Sequence, residues 1–324
     1  MKVWTHPYEL VPGPDRFRAA TEARRGCLLK IEFDDGAVGH ADLHPWTEFG
    51  HPALAGHLSS LLGSTPTAMV SLALRHARTD AAARRAGVSL FKGLPGVRSH
   101  ALFTDWTKAP RSEFQQCADA GYTSVKLKVG RSPAEEAAAL NSLADLPLRW
   151  RLDANALFPE ADFRRWLDLL NPHVRAQIEF LEDPFPYEPA AWSATAQVIP
   201  LALDWQLPDT PPPWPGAPLV VLKPSCQDAF TLAADAARAG TDIIVTHSMD
   251  HPLGRATALW TAMRLRQRHG DLVREGGLQA AGLYAADNFS DCLPERGPQV
   301  SFPEGTGFGF DGLLAELEWQ PLSA

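Results

Sequence analysis

Lys126, Lys128, Asp153, Glu182, Asp204, Lys223 and His247 are the residues whose types and spacing could do chemistry. From Lys128 onward they close successive apolar runs at intervals of 25, 29, 22, 19 and 24 residues, each about one strand-plus-helix unit. Three carboxylates brought within a few ångströms repel one another unless a cation sits among them. Hard oxygen donors with no cysteine nearby suit Mg²⁺, with Mn²⁺ as a substitute, rather than Zn²⁺. Lys126 and Lys128 stand two apart on one run, so they share a face, while Val125, Leu127 and Val129 take the other. A lysine beside a second cation loses basicity, which suits a general base. Together the set could remove a proton next to a carboxylate, with a metal ion stabilising the enediolate.

Each residue alone has a plainer reading. A carboxylate at a strand end often caps the next helix, Asp153 could bond the turn at Asn155, and Asp183-Pro184 after Glu182 reads as a turn. The lysine pair could face solvent, although that would turn three apolar side chains into the lumen. Lys223 could be a Schiff-base lysine or a salt-bridge partner of the carboxylates. His247 could be catalytic or simply bond a backbone carbonyl. Three carboxylates on three successive strands are harder to explain by capping alone.

The elements that must position these residues are legible as short apolar runs alternating with periodic helices. The runs lie at 99–104, 123–129, 148–154, 176–182, 199–204, 219–223, 242–247 and 277–283. Eight strands alternating with helices predict parallel pairing, and at this length a closed (β/α)-barrel. The strand ends of such a barrel share one rim, where distant residues converge. The first hundred residues differ. Residues 27–33 and 37–43 predict a hairpin joined by Asp35-Gly36, followed by helices over 53–62 and 68–87, the second ended by Gly87. The fold class is therefore α/β, a (β/α)-barrel over 99–299 with an α+β capping domain over 1–98, to which 300–324 return.

With 324 residues, 45% hydrophobic and 21% charged, the chain can bury a large core. A net charge of -8 argues against a nucleic-acid surface. Cys27, Cys117, Cys226 and Cys292 lie far apart, so free thiols in a reducing compartment are expected. No apolar run approaches a membrane span and the N-terminus lacks a signal-peptide core, so a cytoplasmic protein with no membrane partner is expected. The expected partner is a small-molecule carboxylate substrate.

KLK (126–128), LDAN (152–155), LEDP (181–184), the Asp204 strand and LKPS (222–225) together resemble the muconate-lactonizing subgroup of the enolase superfamily. A Lys or His base with Mg²⁺ is already the general description of sites in that superfamily, not a deduction from these spacings. The resemblance runs over the whole chain. It takes in HPWTEFGH (44–51) as a candidate specificity loop and EGTGFGFD (304–311) as a closing Gly-rich segment. It implies an enolase-type modified TIM barrel, with Asp153, Glu182 and Asp204 as Mg²⁺ ligands, Lys128 as base and Lys126 as its helper. Lys223 would face the other side of the substrate. His247 would not be the base, because the preceding strand carries Lys223 where the mandelate-racemase branch would want Asp.

Within the subgroup the resemblance favours the o-succinylbenzoate synthases, hydro-lyases of menaquinone biosynthesis. Dipeptide epimerases and N-acylamino-acid racemases on the same site are the alternative, although GLYAAD (282–287) offers only Asp287 where epimerases carry Asp-x-Asp. Ser225, Ser248, Gly282 and Leu283 are candidate pocket positions. A class I aldolase using Lys223, or a barrel that binds without turnover, are readings from other classes.

Overall fold

A computed structural model describes residues 1–323. Its N-terminal sheet has the order β11-β1-β2-β3, built from β1 (Lys2–Leu10), β2 (Arg24–Glu32), β3 (Val38–Leu43) and β11 (Gln320–Pro321), paired antiparallel. The predicted hairpin is β2–β3, turning through Gly36 at φ 75°. The strand β1 was not anticipated. It pairs with β2 along its whole length, Lys2 opposite Glu32 and Leu10 opposite Arg24. Helices α1 (Leu54–Leu62) and α2 (Ala68–Arg85) cover the sheet, so that Leu29, Ile31, Ala41 and Leu43 pack on Met69, Val70, Ala73 and Ala77.

The second sheet is parallel and runs in chain order through β4 (Ala101–Phe103), β5 (Ser124–Lys128), β6 (Arg149–Asp153), β7 (Ile178–Glu182), β8 (Leu201–Leu203), β9 (Leu219–Leu222) and β10 (Asp242–Val245). The intervening helices are α3 (Arg111–Asp119), α4 (Pro133–Ser142), α5 (Glu160–Leu169), α6 (Pro172–Gln177), α7 (Pro189–Thr195), α8 (Ala229–Arg238) and α9 (Pro252–His269). Short helices α10 (Asn288–Asp291) and α11 (Asp311–Glu316) follow. One apolar cluster fills the layer between strands and helices, with Trp150, Trp166 and Trp192 fully buried in it. The architecture is a seven-stranded parallel sheet wrapped by helices, with a strand-rich cap.

The eighth strand is where expectation and structure part. No regular strand spans 277–283. Instead Gly276 and Gly277 bridge both edges: the His100 amide donates to Gly276 at 3.0 Å, Gly277 donates to Val245 at 3.0 Å, and His247 donates to Gly277 at 3.0 Å. A side chain at Gly277 would meet the His100 ring at 2.9 Å, so closure depends on two residues without Cβ atoms. Beyond them the chain turns at Gly282, φ 79°, and cannot continue as a strand.

A third arrangement ties the C-terminal segment to the cap. Asp80 of α2, fully buried, accepts from the His40 amide at 2.8 Å, Arg84 Nε at 2.6 Å and the Phe308 amide at 2.7 Å. A Cβ at Gly307 would lie 2.0 Å from the Asp80 carboxylate. Among the described residues no helix is long and apolar enough to cross a membrane.

Candidate functional site

The strand register sets the site. Lys128 is the partner of Asp153 across β5–β6, and Asp153 is the partner of Glu182 across β6–β7. Asp204 and Lys223 directly follow β8 and β9. Adjacent parallel strands thus deliver five charged residues to one rim, and alternation along β5 turns Lys126 to the same side as Lys128. Val125, Leu127 and Val129 are buried against the helices, as the alternation requires.

Asp153, Glu182 and Asp204 each offer an oxygen within 4.8 Å of the others. All three are buried. Lys126 Nζ donates to Glu182 Oε2 at 2.6 Å and lies 2.8 Å from Asp153 Oδ2; Lys128 Nζ donates to the same Asp153 oxygen at 2.7 Å. Lys223 Nζ donates to Asp204. The lysines therefore neutralise part of the repulsion that a cation alone was expected to relieve. They do not satisfy every acceptor: Glu182 Oε1 is buried without a hydrogen-bond partner, although Oε2 of the same carboxylate accepts from Lys126. An orphaned buried carboxylate oxygen in an all-oxygen cluster fits a hard divalent cation.

The electrostatics follow from burial and these contacts. Burial works against the charge of Lys126, but Asp153 and Glu182 outweigh it and hold its pKa above the ordinary lysine value. Burial likewise opposes ionisation of Asp153, yet Lys126 and Lys128 keep its carboxyl well below the usual range. At Glu182 burial prevails over Lys126 and the pKa rises. For Lys223 burial, then the charge of Lys126, lowers the pKa to about 8.

The plainer readings are partly visible too. The Asn155 amide bonds Asp153 Oδ1 at 3.3 Å, and with its side chain turned to suit its neighbours Asn155 accepts from Lys128 Nζ at 2.9 Å. Asp183 sits at φ 39° and its carboxylate accepts from the amides of Asp204 and Trp205 at 3.2 and 2.8 Å. That turn fixes the backbone at the third carboxylate. His247 lines the cavity with both ring nitrogens engaged: Nε2 lies 3.2 Å from the Gln279 carbonyl and Nδ1 accepts from the Met249 amide at 2.9 Å.

The rim opens into a cavity of about 280 Å³, lined by Lys126, Lys128, Asp153, Asp204 and Lys223. Of the candidate pocket positions, Ser248 and Leu283 line it. Ser225 stands behind, bonded to the Ser248 hydroxyl at 2.8 Å, and Gly282 turns toward Asp15 and Arg18. Asp287 is exposed and caps α10. Sequence reasoning missed Arg24, Arg131, Trp205 and Tyr284, all of which line the cavity. The HPWTEFGH segment contributes Trp46, Glu48 and Phe49. Trp46 Nε1 donates to the Ser248 carbonyl at 2.8 Å, and Arg24 lies 3.9 Å over the Trp46 ring while bonding Glu48. Only the position of Trp205, directly after Asp204, could have flagged it.

Comparison with known proteins agrees with this arrangement. Residues 3–83 match the O-succinylbenzoate synthase N-terminal domain, and residues 110–209 match the Enolase C-terminal domain-like family. The o-succinylbenzoate synthase of Bdellovibrio bacteriovorus is 35% identical over 328 residues, covering 99% of each chain. A mandelate racemase/muconate lactonizing enzyme from Roseiflexus sp. superposes with a TM-score of 0.77 at 19% identity, covering 95% of this chain and 96% of that one. The o-succinylbenzoate synthase of Thermosynechococcus elongatus, solved with Mg in its active site, gives 0.64 at 23% identity over 89% and 95%. With strands, carboxylates, lysines and full-length similarity in agreement, the chain belongs to the o-succinylbenzoate synthase family of the enolase superfamily.

Proposed function

We propose that this chain is a Mg²⁺-dependent o-succinylbenzoate synthase, dehydrating 2-succinyl-6-hydroxy-2,4-cyclohexadiene-1-carboxylate to 2-succinylbenzoate in menaquinone biosynthesis. The observation that carries the reading is the convergence of Lys128, Lys223 and three buried carboxylates on one rim, in a chain similar to such a synthase along its whole length.

Asp153, Glu182 and Asp204 would hold the cation. When bound it supplies positive charge at the substrate carboxylate, where the enediolate's second negative charge develops. Lys126, held charged by its two carboxylate neighbours, orients that carboxylate. Lys128 takes the proton from C1 and, from the same face, returns it to the hydroxyl leaving C6. One C–H and one C–O bond break, one ring C=C forms, and water departs. Lys223, across the rim, stays an ammonium over the ring. The ring becomes aromatic.

The test is an ultraviolet assay with the cyclohexadiene substrate, with and without Mg²⁺. Metal-dependent formation of 2-succinylbenzoate is expected. No turnover, together with deuterium exchange into N-succinyl amino acids or dipeptides, would overturn the synthase reading in favour of a racemase or epimerase.

A further inference from the structure

Trp205 is an aromatic side chain that the core does not use. It is absent from the buried apolar cluster and its periphery, only partly buried, and forms part of the cavity wall. Its place is nevertheless fixed, because its amide is bonded to the buried Asp183 carboxylate at 2.8 Å. Phe49, from the cap segment, stacks on it with ring centroids 3.8 Å apart and planes 2° apart. Lys223 Nζ lies over the indole, 4.4 Å from the ring centroid. A ring stacked that closely leaves no room for an ammonium on the same face. The indole is therefore held between Phe49 of the cap and Lys223 of the barrel.

We propose that Trp205 is a positioning residue for Lys223, and that Phe49 docks on its far face, so that cap docking and amine placement form a single stack. This rests on the reading of Lys223 as a reacting group of the synthase. In the structure two groups hold the Lys223 ammonium, the Asp204 carboxylate and the indole face. A cation drawing on Asp204 competes for that carboxylate. The indole is the partner that remains, and an indole face holds an ammonium most firmly where water is excluded. Phe49, itself 38% exposed, covers the opposite face of the indole and so holds the ring in place against the amine.

The experiment compares Trp205→Phe, Trp205→Leu and Phe49→Leu with the wild-type protein, after melting curves establish that each is folded. Phe and Leu both fill part of the space, but only Phe offers a π face to the amine. Trp205→Leu is expected to lower kcat by roughly 10- to 30-fold with KM little changed, while Trp205→Phe recovers most of that loss. Phe49→Leu is expected to lower kcat by a smaller factor. Equal kcat in the Leu and Phe variants of Trp205 would overturn the proposal. A second measurement needs no turnover. The emission of wild type minus Trp205→Phe isolates the Trp205 signal, and Lys223→Met is expected to shift it in the parent but to leave the Trp205→Phe background unchanged. An unshifted signal would also reject the stack. If the wild type fails to dehydrate the substrate, the function proposed above falls, and the emission arm still decides the geometry.

Discussion

Lys128 and Asp153 are register partners on adjacent barrel strands, and the ammonium of one donates to the carboxylate of the other at 2.7 Å. The residue assigned to move the proton and a residue assigned to hold the metal are thus fixed relative to each other by the backbone pairing itself. Neither can shift without the sheet.

Lys128→Ala should lower kcat by about 10³-fold, within the range general base catalysis supplies. Binding of Mg²⁺, followed by calorimetry, should persist, because three carboxylates remain. Turnover within a few-fold of wild type would remove Lys128 from the base role.

Chelation with EDTA should abolish turnover, and Mg²⁺ or Mn²⁺ should restore it. The metal should also raise the melting temperature, since saturation at a hundred times Kd adds about 2.7 kcal/mol to stability. Glu182→Gln, which removes the charge beside the orphaned oxygen, should weaken that thermal shift. A melting temperature indifferent to metal in the wild type would argue against the carboxylate site.

Asp80→Ala should destabilise the protein by about 1–3 kcal/mol or more, the cost of leaving buried donors without an acceptor. It leaves Arg84 Nε and the amides of His40 and Phe308 without their acceptor, while the Arg84 guanidinium keeps Asp311 and the Gly309 carbonyl. Gly307→Ala should produce a loss in the same direction, because its Cβ enters the space of that carboxylate. Urea denaturation of both variants measures the effect, and a change under 1 kcal/mol for Asp80→Ala would contradict it.

Acid should weaken the fold before most carboxylates titrate. Burial lowers the pKa of His44 to about 4 and of His251 to about 3, against the opposing pull of Asp250. Between about pH 6.5 and those values the unfolded chain binds protons that the folded chain refuses, so stability rises with pH there and falls as pH drops. Each histidine contributes a slope of about 1.4 kcal/mol per pH unit within its window. Burial pushes the pKa of Asp183 up to about 7, which acts in the opposite sense over the same window. The comparison is therefore with His251→Gln: denaturation midpoints should fall more steeply from pH 7 to pH 4.5 in the wild type than in that variant, and equal slopes would refute the account.

The convergence of charged residues on one rim was legible because a strand's period of two is rigid. Once Val125, Leu127 and Val129 must face the helices, Lys126 and Lys128 have one direction left. Spacings of one strand-helix unit likewise place carboxylates at successive strand ends. What escaped depends on partners distant in sequence. The strand β1 carries Pro7 and charged residues, and its pairing with β2 and β11 makes it a strand. The closure at Gly276-Gly277 follows from two edges meeting, which no local pattern encodes. Ser225 and Gly282 stand just outside the cavity lining, Ser225 bonded to the Ser248 hydroxyl that reaches it and Gly282 packed toward Asp15 and Arg18. Trp205 follows Asp204 with no periodic sign of its role, since its neighbours come from the cap segment and from the next strand.

The cap sheet joins Thr5 near the beginning of the chain to Gln320, with the whole barrel synthesised between them. A polypeptide leaving the ribosome therefore carries β1 with one edge bare until residues 320–321 emerge, and bare strand edges invite pairing with other chains. The roof over the cavity is thus completed only after the barrel strands have been made, and a translation product interrupted before residue 320 would hold those strands beneath a sheet still missing its border.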